Sequence, residues 1–129
     1  MPSHTDFQTL SLPSKADVVA ADGSDVRILL SLQKGSSIHI ELAPGRVSKA
    51  IRHKTVGEIW YFLSGRGEMW RKNESREEIV TVEAGVCLTI PVGTKFQFRS
   101  TGDVPLRAFA VTMPPWPGED EAVDVGGIW

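Results

Sequence analysis

The sequence predicts a single all-β domain of the sandwich or barrel type. Short apolar or alternating segments recur at intervals of about 8 to 12 residues with turn-forming residues between them, which is typical of such folds. The 129 residues include 12 Gly and 8 Pro, and no segment keeps the apolar period of an amphipathic helix. A hydrophobic content of 41% is sufficient for one compact core, and the length fits one domain.

The elements follow from the alternation of apolar and polar residues. Residues 1–24 are polar and mixed, and a turn-like segment lies at residues 21–24, so we expect an arm or an edge strand there. Residues 25–114 are expected to form the barrel. Its predicted strands are residues 26–33, 37–42, 47–53, 58–63, 68–71, 79–82, 86–90, 95–100 and 106–113.

Two further segments are predicted to lie outside the barrel wall. Residues 72–78, KNESREE, are expected to form a solvated hairpin tip. Residues 115–129 are rich in Pro and then acidic, so we expect a tail that packs on the barrel. Trp116 and Trp129 are its candidate apolar anchors.

Charge, cysteine content and the first 20 residues indicate the partners and the location to expect. The 14 basic and 16 acidic residues are interspersed and give a net charge of −2, which favours neither nucleic acid nor a membrane surface as a partner. The lone Cys87 lies in the apolar run 86–90, and we expect a buried, inert thiol. Residues 1–20 lack the apolar core of a signal peptide, so a reducing, cytoplasmic location is expected.

Residues 45–65, GRVSKAIRHKTVGEIWYFLSG, contain the most informative pair of side chains. His53 closes one predicted strand and Glu58 opens the next, with a short turn between them. This pattern predicts a β-hairpin that brings both side chains to one face. An imidazole beside a carboxylate is suited to metal binding or to proton transfer.

These residues resemble the two sequence motifs of the cupin family. In the first motif the positions for Gly, Glu, one of two His and a second Gly are occupied by Gly45, Glu58, His53 and Gly65. The other His position is Ile51. In the second motif the Gly, Pro and Gly positions match Gly85, Pro91 and Gly93. Phe96 stands in the place of the His, and Ser100 in the place of the Asn.

The resemblance implies a single-domain, cupin-like jelly-roll β-barrel. Cupins in general bind a divalent metal through His, His, Glu and His, and only His53 and Glu58 remain of that set. Zinc in proteins usually has three or four protein ligands. Because Ile51 and Phe96 supply no lone pair, we predict no cofactor. A metal held by His53 and Glu58, with His39 or Glu41 completing a displaced site, is the alternative.

Alternation identifies the side chains that would accompany the pair inside the barrel. If His53 and Glu58 face inward, so do Lys49, Ile51, Trp60, Phe62, Phe96 and Phe98, which are the candidate ligand-binding residues. They form either an aromatic slot with a polar end or a completely filled barrel core.

The function predicted from these residues is the binding of a small organic ligand, either a carbohydrate or a carboxylate, with His53 and Glu58 as the candidate catalytic pair. We expect Glu58 to raise the pKa of His53. One alternative is an isomerase, epimerase or lyase that uses the two residues as acid and base or as a non-standard metal site. Another is a non-catalytic structural or regulatory module. A homodimer is expected, since a short barrel leaves edges and an apolar outer face to cover.

Overall fold

The structure is a computed structural model that describes residues 6–20 and 22–129. Residues 1–5 of the predicted arm and Ala21 of the predicted turn lie outside the described residues. The strands are β1 (Val18–Val19), β2 (Asp25–Leu32), β3 (Gly35–Leu42), β4 (Ile51–His53), β5 (Gly57–Ser64), β6 (Arg66–Lys72), β7 (Glu77–Glu83), β8 (Cys87–Ile90), β9 (Lys95–Ser100), β10 (Leu106–Met113) and β11 (Ala122–Asp124). A 3₁₀ turn, Glu119–Glu121, precedes β11.

The strands form two antiparallel sheets that enclose one core. The larger sheet has the order β1-β2-β3-β10-β5-β8 and the smaller one the order β11-β4-β9-β6-β7. Apolar side chains from both sheets meet in a single buried cluster, so the predicted all-β jelly-roll barrel is confirmed. Within residues 6–20 and 22–129, no helix is long and apolar enough to cross a membrane.

Strand β5 shows why these segments fold as they do. Trp60 and Phe62 are almost fully buried, whereas Ile59, Tyr61 and Leu63 between and beside them are each more than 40% exposed. Period-two alternation therefore determines which side chains enter the barrel. It also leaves an apolar outer face on the larger sheet.

The predicted hairpin at residues 45–65 is wrong. Strand β4 pairs with β9 and β11 in the smaller sheet, whereas β5 pairs with β10 and β8 in the larger one. Residues 54–56 therefore form a corner at which the chain crosses from one sheet to the other. A strand, a short turn and a second strand produce the same local pattern in both cases.

Cys87 also departs from expectation, because it is exposed. Strand β8 alternates, with Leu88 and Ile90 facing the core, so Cys87 and Thr89 face outward. The prediction of a buried thiol assumed that both faces of this apolar run are buried. Only the face with Leu88 and Ile90 is buried.

Four glycines of the two motifs have backbone conformations that favour Gly. The φ angles of Gly45, Gly65, Gly85 and Gly93 are 75°, 80°, 93° and 81°. A side chain at these turns would strain the backbone, which gives the spacing of the motifs a physical cause.

The tail contacts the barrel at several points. Strand β11 adds an edge to the smaller sheet beside β4. Further along, the Gln97 side chain accepts hydrogen bonds from the backbone N–H groups of Ile128 and Trp129. The guanidinium of Arg99 lies 4.3 Å from the Trp129 ring centroid, a cation–π contact.

The packing between β6 and β9 leaves no room for a side chain at Gly67. A Cβ there would overlap the carbonyl oxygen of Arg99 and come within 2.8 Å of the Leu106 side chain. Gly67→Ala is expected to lower the free energy of unfolding by about 1–3 kcal/mol, measured by urea denaturation. Gly102→Ala is the control, because its Cβ would meet nothing closer than 3.6 Å. Equal stabilities of the two variants would contradict this packing.

Candidate functional site

The site lies where the chain crosses between the sheets. His53 is the last residue of β4 and Glu58 is the second residue of β5. His53 Nδ1 and Glu58 Oε1 are 3.9 Å apart, and the two residues are 2% and 4% exposed. The structure thus brings the predicted pair together inside the barrel, although from two different sheets.

The hydrogen bonding of the pair is incomplete. Trp60 Nε1 donates to Glu58 Oε1 at 2.9 Å. His53 Nδ1 is buried and has no hydrogen-bond partner among the described residues. The imidazole is enclosed by two edge-to-face aromatic contacts, with ring centroids at 5.3 Å for Phe96 and 5.0 Å for Trp116. It is therefore held in place by packing, while one of its nitrogens is left unsatisfied.

Glu121 anchors the corner from the tail. Its carboxylate accepts hydrogen bonds from the backbone N–H groups of Thr55 and Val56, at 2.7 and 2.9 Å, and from the Thr55 hydroxyl at 2.5 Å. Burial alone would raise the pKa of Glu121, but these hydrogen bonds outweigh it and lower the pKa. Glu121 therefore stays ionised and fixes the corner between His53 and Glu58.

The protonation of the pair is opposite to the expectation. Burial raises the pKa of Glu58 to about 7, against the hydrogen bond from Trp60. Burial also lowers the pKa of His53, and the Glu121 carboxylate only partly opposes this. The prediction that Glu58 raises the pKa of His53 is wrong, because desolvation disfavours both charged forms. A neutral imidazole beside a largely protonated carboxyl group is the expected state just below neutral pH.

The predicted aromatic walls pack against one another. Trp60, Phe62, Phe96 and Phe98 are each 1% exposed, and Ile51 is 3% exposed. The Trp60 ring centroid lies 5.1 to 6.0 Å from the other three rings. At this level the barrel is filled with side chains, as one of the two interpretations of the sequence predicted. Whether these residues bind a ligand stays a prediction.

The expected inward orientation of Lys49 is wrong. Lys49 is exposed and lies two residues before β4 begins, so the alternation of that strand does not extend to it. His39 and Glu41 lie on the opposite face of β3 from the core residue Ile40. Glu41 pairs there with Arg107 at 2.9 Å. Neither residue is therefore positioned to complete a site at His53.

Comparison with known proteins agrees with this architecture. A model of the cupin domain matches residues 38–112, more than half of the chain. An uncharacterized protein of Methanocaldococcus jannaschii is 34% identical over 110 residues, which is 81% of this chain and 85% of that protein. The chain belongs to the cupin family, as the two motifs predicted.

Solved structures share the fold at low identity. An uncharacterized Klebsiella pneumoniae protein with a double-stranded β-helix domain has a TM-score of 0.72 and 15% identity, covering 95% of this chain and 100% of that one. Oxalate decarboxylase from Bacillus subtilis, an enzyme with Mn(II) centres, has a TM-score of 0.74 and 20% identity, covering 94% of this chain. The chain spans only 34% of that enzyme's length.

The donor set of this chain does not fit the four-ligand metal centre that the family resemblance implies. Ile51 and Phe96, at two of the expected His positions, lie directly opposite each other on β4 and β9 and are both buried. In the part of the chain that the structure describes, no group of three or more His, Cys, Asp or Glu side chains is arranged to hold an ion.

Two residues of the site were not identified from the sequence. Trp116 was expected only to anchor the tail, and no local signal pointed to Glu121. The position of Glu121 beside the corner follows from the register of β11, in which Ala122 lies opposite His53. Local sequence does not predict that register.

The raised pKa of Glu58 predicts a specific dependence of stability on pH. The folded protein keeps this proton up to about pH 7, whereas the unfolded chain loses it near the ordinary glutamate pKa of 4.5. Glu58 therefore destabilises the fold increasingly as pH rises through this window, by roughly 2–4 kcal/mol in total. Glu58→Gln removes the charge and keeps an acceptor for Trp60.

Urea denaturation of both proteins at about pH 5 and about pH 8 measures this effect. The variant is expected to gain stability relative to the wild type at the higher pH. His53 contributes a slope of opposite sign in both proteins. A difference that does not change with pH would contradict the assigned pKa.

Proposed function

We propose that this cupin binds a small organic carboxylate at the His53–Glu58 pair, without the four-ligand metal centre. The observation that carries the proposal is the buried His53 Nδ1 atom beside Glu58, which lacks a hydrogen-bond partner among residues 6–20 and 22–129. An unsatisfied buried polar atom costs about 1–3 kcal/mol, and such atoms in native proteins call for an explanation. A ligand oxygen or hydroxyl at this position would supply the missing partner.

The chemistry of the pair favours a carboxylate over a carbohydrate. With a pKa of about 7, Glu58 carries a proton over much of the neutral range and donates it to an acceptor oxygen. A neutral His53 that carries its proton on Nδ1 would add a second donor. A carbohydrate would need further polar partners, whereas the rings around His53 are apolar. Oxalate decarboxylase, a structural neighbour, is by its name an enzyme of a small carboxylate.

Access to the pair requires movement of Trp116. This ring covers His53, is itself 39% exposed, and its backbone N–H donates to Ser36 Oγ at 3.2 Å. The filled core at Trp60 and Phe98 blocks the other direction. We therefore place the ligand at the barrel end, between His53 and the displaced Trp116 ring.

Titration with oxalate, acetate and glucose, followed by the ring resonances of His53 in NMR spectra, tests the proposal. Saturable shifts with the carboxylates and none with glucose are expected. His53→Gln should weaken carboxylate binding by about tenfold or more. His39→Gln is the matched control, since His39 is also buried, at 5% exposed, and its Nδ1 also lacks a partner among the described residues, but it lies on the opposite face of β3 from the core.

Three results would contradict the proposal. One is the absence of carboxylate binding by the wild type, which would favour a structural or regulatory module with a filled barrel. Another is equal binding by the His53→Gln variant. The third is stoichiometric Zn, Fe, Mn or Ni in the purified protein that is lost in the same variant, which would establish a metal site with a non-standard ligand set.

A second function is favoured by the protonation state of Glu58. A carboxyl group with a pKa of about 7 beside an imidazole can donate and accept a proton near neutral pH, as a general acid and base must. The pair would then act on a bound carboxylate as a metal-free isomerase, epimerase or lyase. This function requires the binding site proposed above.

Exchange of the pyruvate methyl protons in deuterium oxide, followed by NMR, tests for acid–base activity. The protein is expected to accelerate the exchange, and Glu58→Gln to reduce the acceleration by about 100-fold or more. Glu68→Gln is the control for loss of a carboxylate, since Glu68 pairs with Arg99 away from the site. Exchange at the same rate with and without protein would exclude this activity towards pyruvate.

Homodimerisation and a cytoplasmic location stay predictions. The outer face of the larger sheet supports a dimer, because Ile59, Tyr61, Phe109 and Met113 are between 36% and 47% exposed there.

A further inference from the structure

A separate cavity lies beside the hairpin of β6 and β7. Its volume is about 120 Å³, and its lining includes Arg71, Lys72, Arg76, Glu78, Thr89 and Thr94. Three of these side chains are cationic and one is anionic. The cavity is therefore lined by an excess of positive charge together with two hydroxyl groups.

Glu78 organises the two guanidinium groups. It accepts a hydrogen bond from Arg71 Nη2 at 2.7 Å, and its other oxygen pairs with Arg76. Arg71 is held further by a bond from Nη1 to the carbonyl oxygen of Thr89, at 2.9 Å. One carboxylate thus fixes two cations side by side at the cavity without neutralising both.

Arg71 retains an unused donor. Its side chain is 20% exposed, and its Nε is buried without a hydrogen-bond partner among the described residues. A buried charged donor is unfavourable when it is left unsatisfied. Glu78 and the Thr89 carbonyl oxygen therefore do not satisfy every donor of this guanidinium.

The neighbouring residues do not neutralise the cavity. Lys72 lies directly opposite Lys95 on β9, and like charges in this arrangement repel. Glu77 lies opposite Lys72 on β7, with a separation of 3.9 Å between the charged atoms. Glu74, at the exposed hairpin tip, is the remaining acidic residue of the segment. With Glu78, three acids face the four cations Arg71, Lys72, Arg76 and Lys95, so one positive charge remains in excess.

We infer that this cavity binds a small dianionic oxyanion, namely a phosphate group. Paired guanidinium groups match the oxygens of phosphate in a bidentate geometry, and a dianion balances the net charge of the lining. Inorganic phosphate and a phosphate monoester share this chemistry. The cavity opens to solvent beside the hairpin, so either one can enter it.

The phosphate site does not depend on the proposed function. Arg71 lies directly opposite Phe96 on β9, and the Phe96 ring lies 5.3 Å from the His53 ring between centroids. The Phe96 side chain therefore stands between the two sites. Loss of carboxylate binding at His53 would leave the inference about phosphate intact, and the reverse also holds.

Titration of the full chain with inorganic phosphate and with phenyl phosphate, at constant ionic strength, tests the inference. Saturable NMR shifts of the Thr89 and Thr94 amides are expected. Arg76→Gln should weaken binding by about tenfold. This residue is 72% exposed in its side chain, so the substitution should leave the fold intact. Arg71→Lys keeps the charge but loses the planar guanidinium with its paired N–H donors, and should also weaken binding.

The matched control is Arg46→Gln, which removes the same charge from an exposed residue outside the cavity. Binding of both probes would indicate a site for phosphate monoesters, and binding of inorganic phosphate alone a site for the free ion. Absence of saturable shifts in the wild type would overturn the inference. So would equal weakening by Arg46→Gln and Arg76→Gln, since that result would indicate only a general charge effect.

Discussion

The hydrogen bonds between the Glu121 carboxylate and the corner at residues 54–56 determine the geometry of the site. This corner carries the chain from one sheet to the other, and the backbone N–H groups of Thr55 and Val56 donate to a side chain rather than to a neighbouring strand. Glu121 supplies the acceptor for Thr55 and Val56 from a segment 65 residues away. His53 and Glu58 flank the corner directly, and their separation therefore depends on the tail. A buried carboxylate with three donors stays charged, which makes this anchor stronger than a neutral one.

The strands of the barrel were predictable where burial alternates along the chain, most clearly in β5, β8 and β10. The predicted limits of β9 and β10 agree with the structure, since the burial of Phe96, Phe98, Ala108 and Ala110 follows the alternation in the sequence. The pairing of the strands was harder to predict from the sequence. The corner at residues 54–56 looks like a hairpin turn because local residues do not encode which distant strand each arm will join. For the same reason β11 was missed: three residues of a tail become a strand only through pairing with β4.

The site was predictable in position but not in charge. The spacing of His53 and Glu58 on either side of a turn placed them together, and that inference survives the change from hairpin to corner. Their protonation depends on burial, which a sequence does not report. Desolvation outweighs the attraction between the two groups, so the imidazole and the carboxyl group are both driven towards neutrality. Lys49 illustrates a different limit, since alternation cannot be extrapolated beyond the residues that form the strand.

The pairing of Ile51 with Phe96 has a consequence for how barrels of this kind diverge. The two residues occupy a single cross-strand rung between β4 and β9, and both are packed in the core. Two imidazoles on that rung would be neighbours, close to His53 and Glu58, without any rearrangement of the main chain. Gain or loss of an inorganic centre in such a scaffold can therefore occur through two side chains alone. Overall architecture is then a poor guide to whether a given member depends on an ion. The two residues at this cross-strand pair are a better guide.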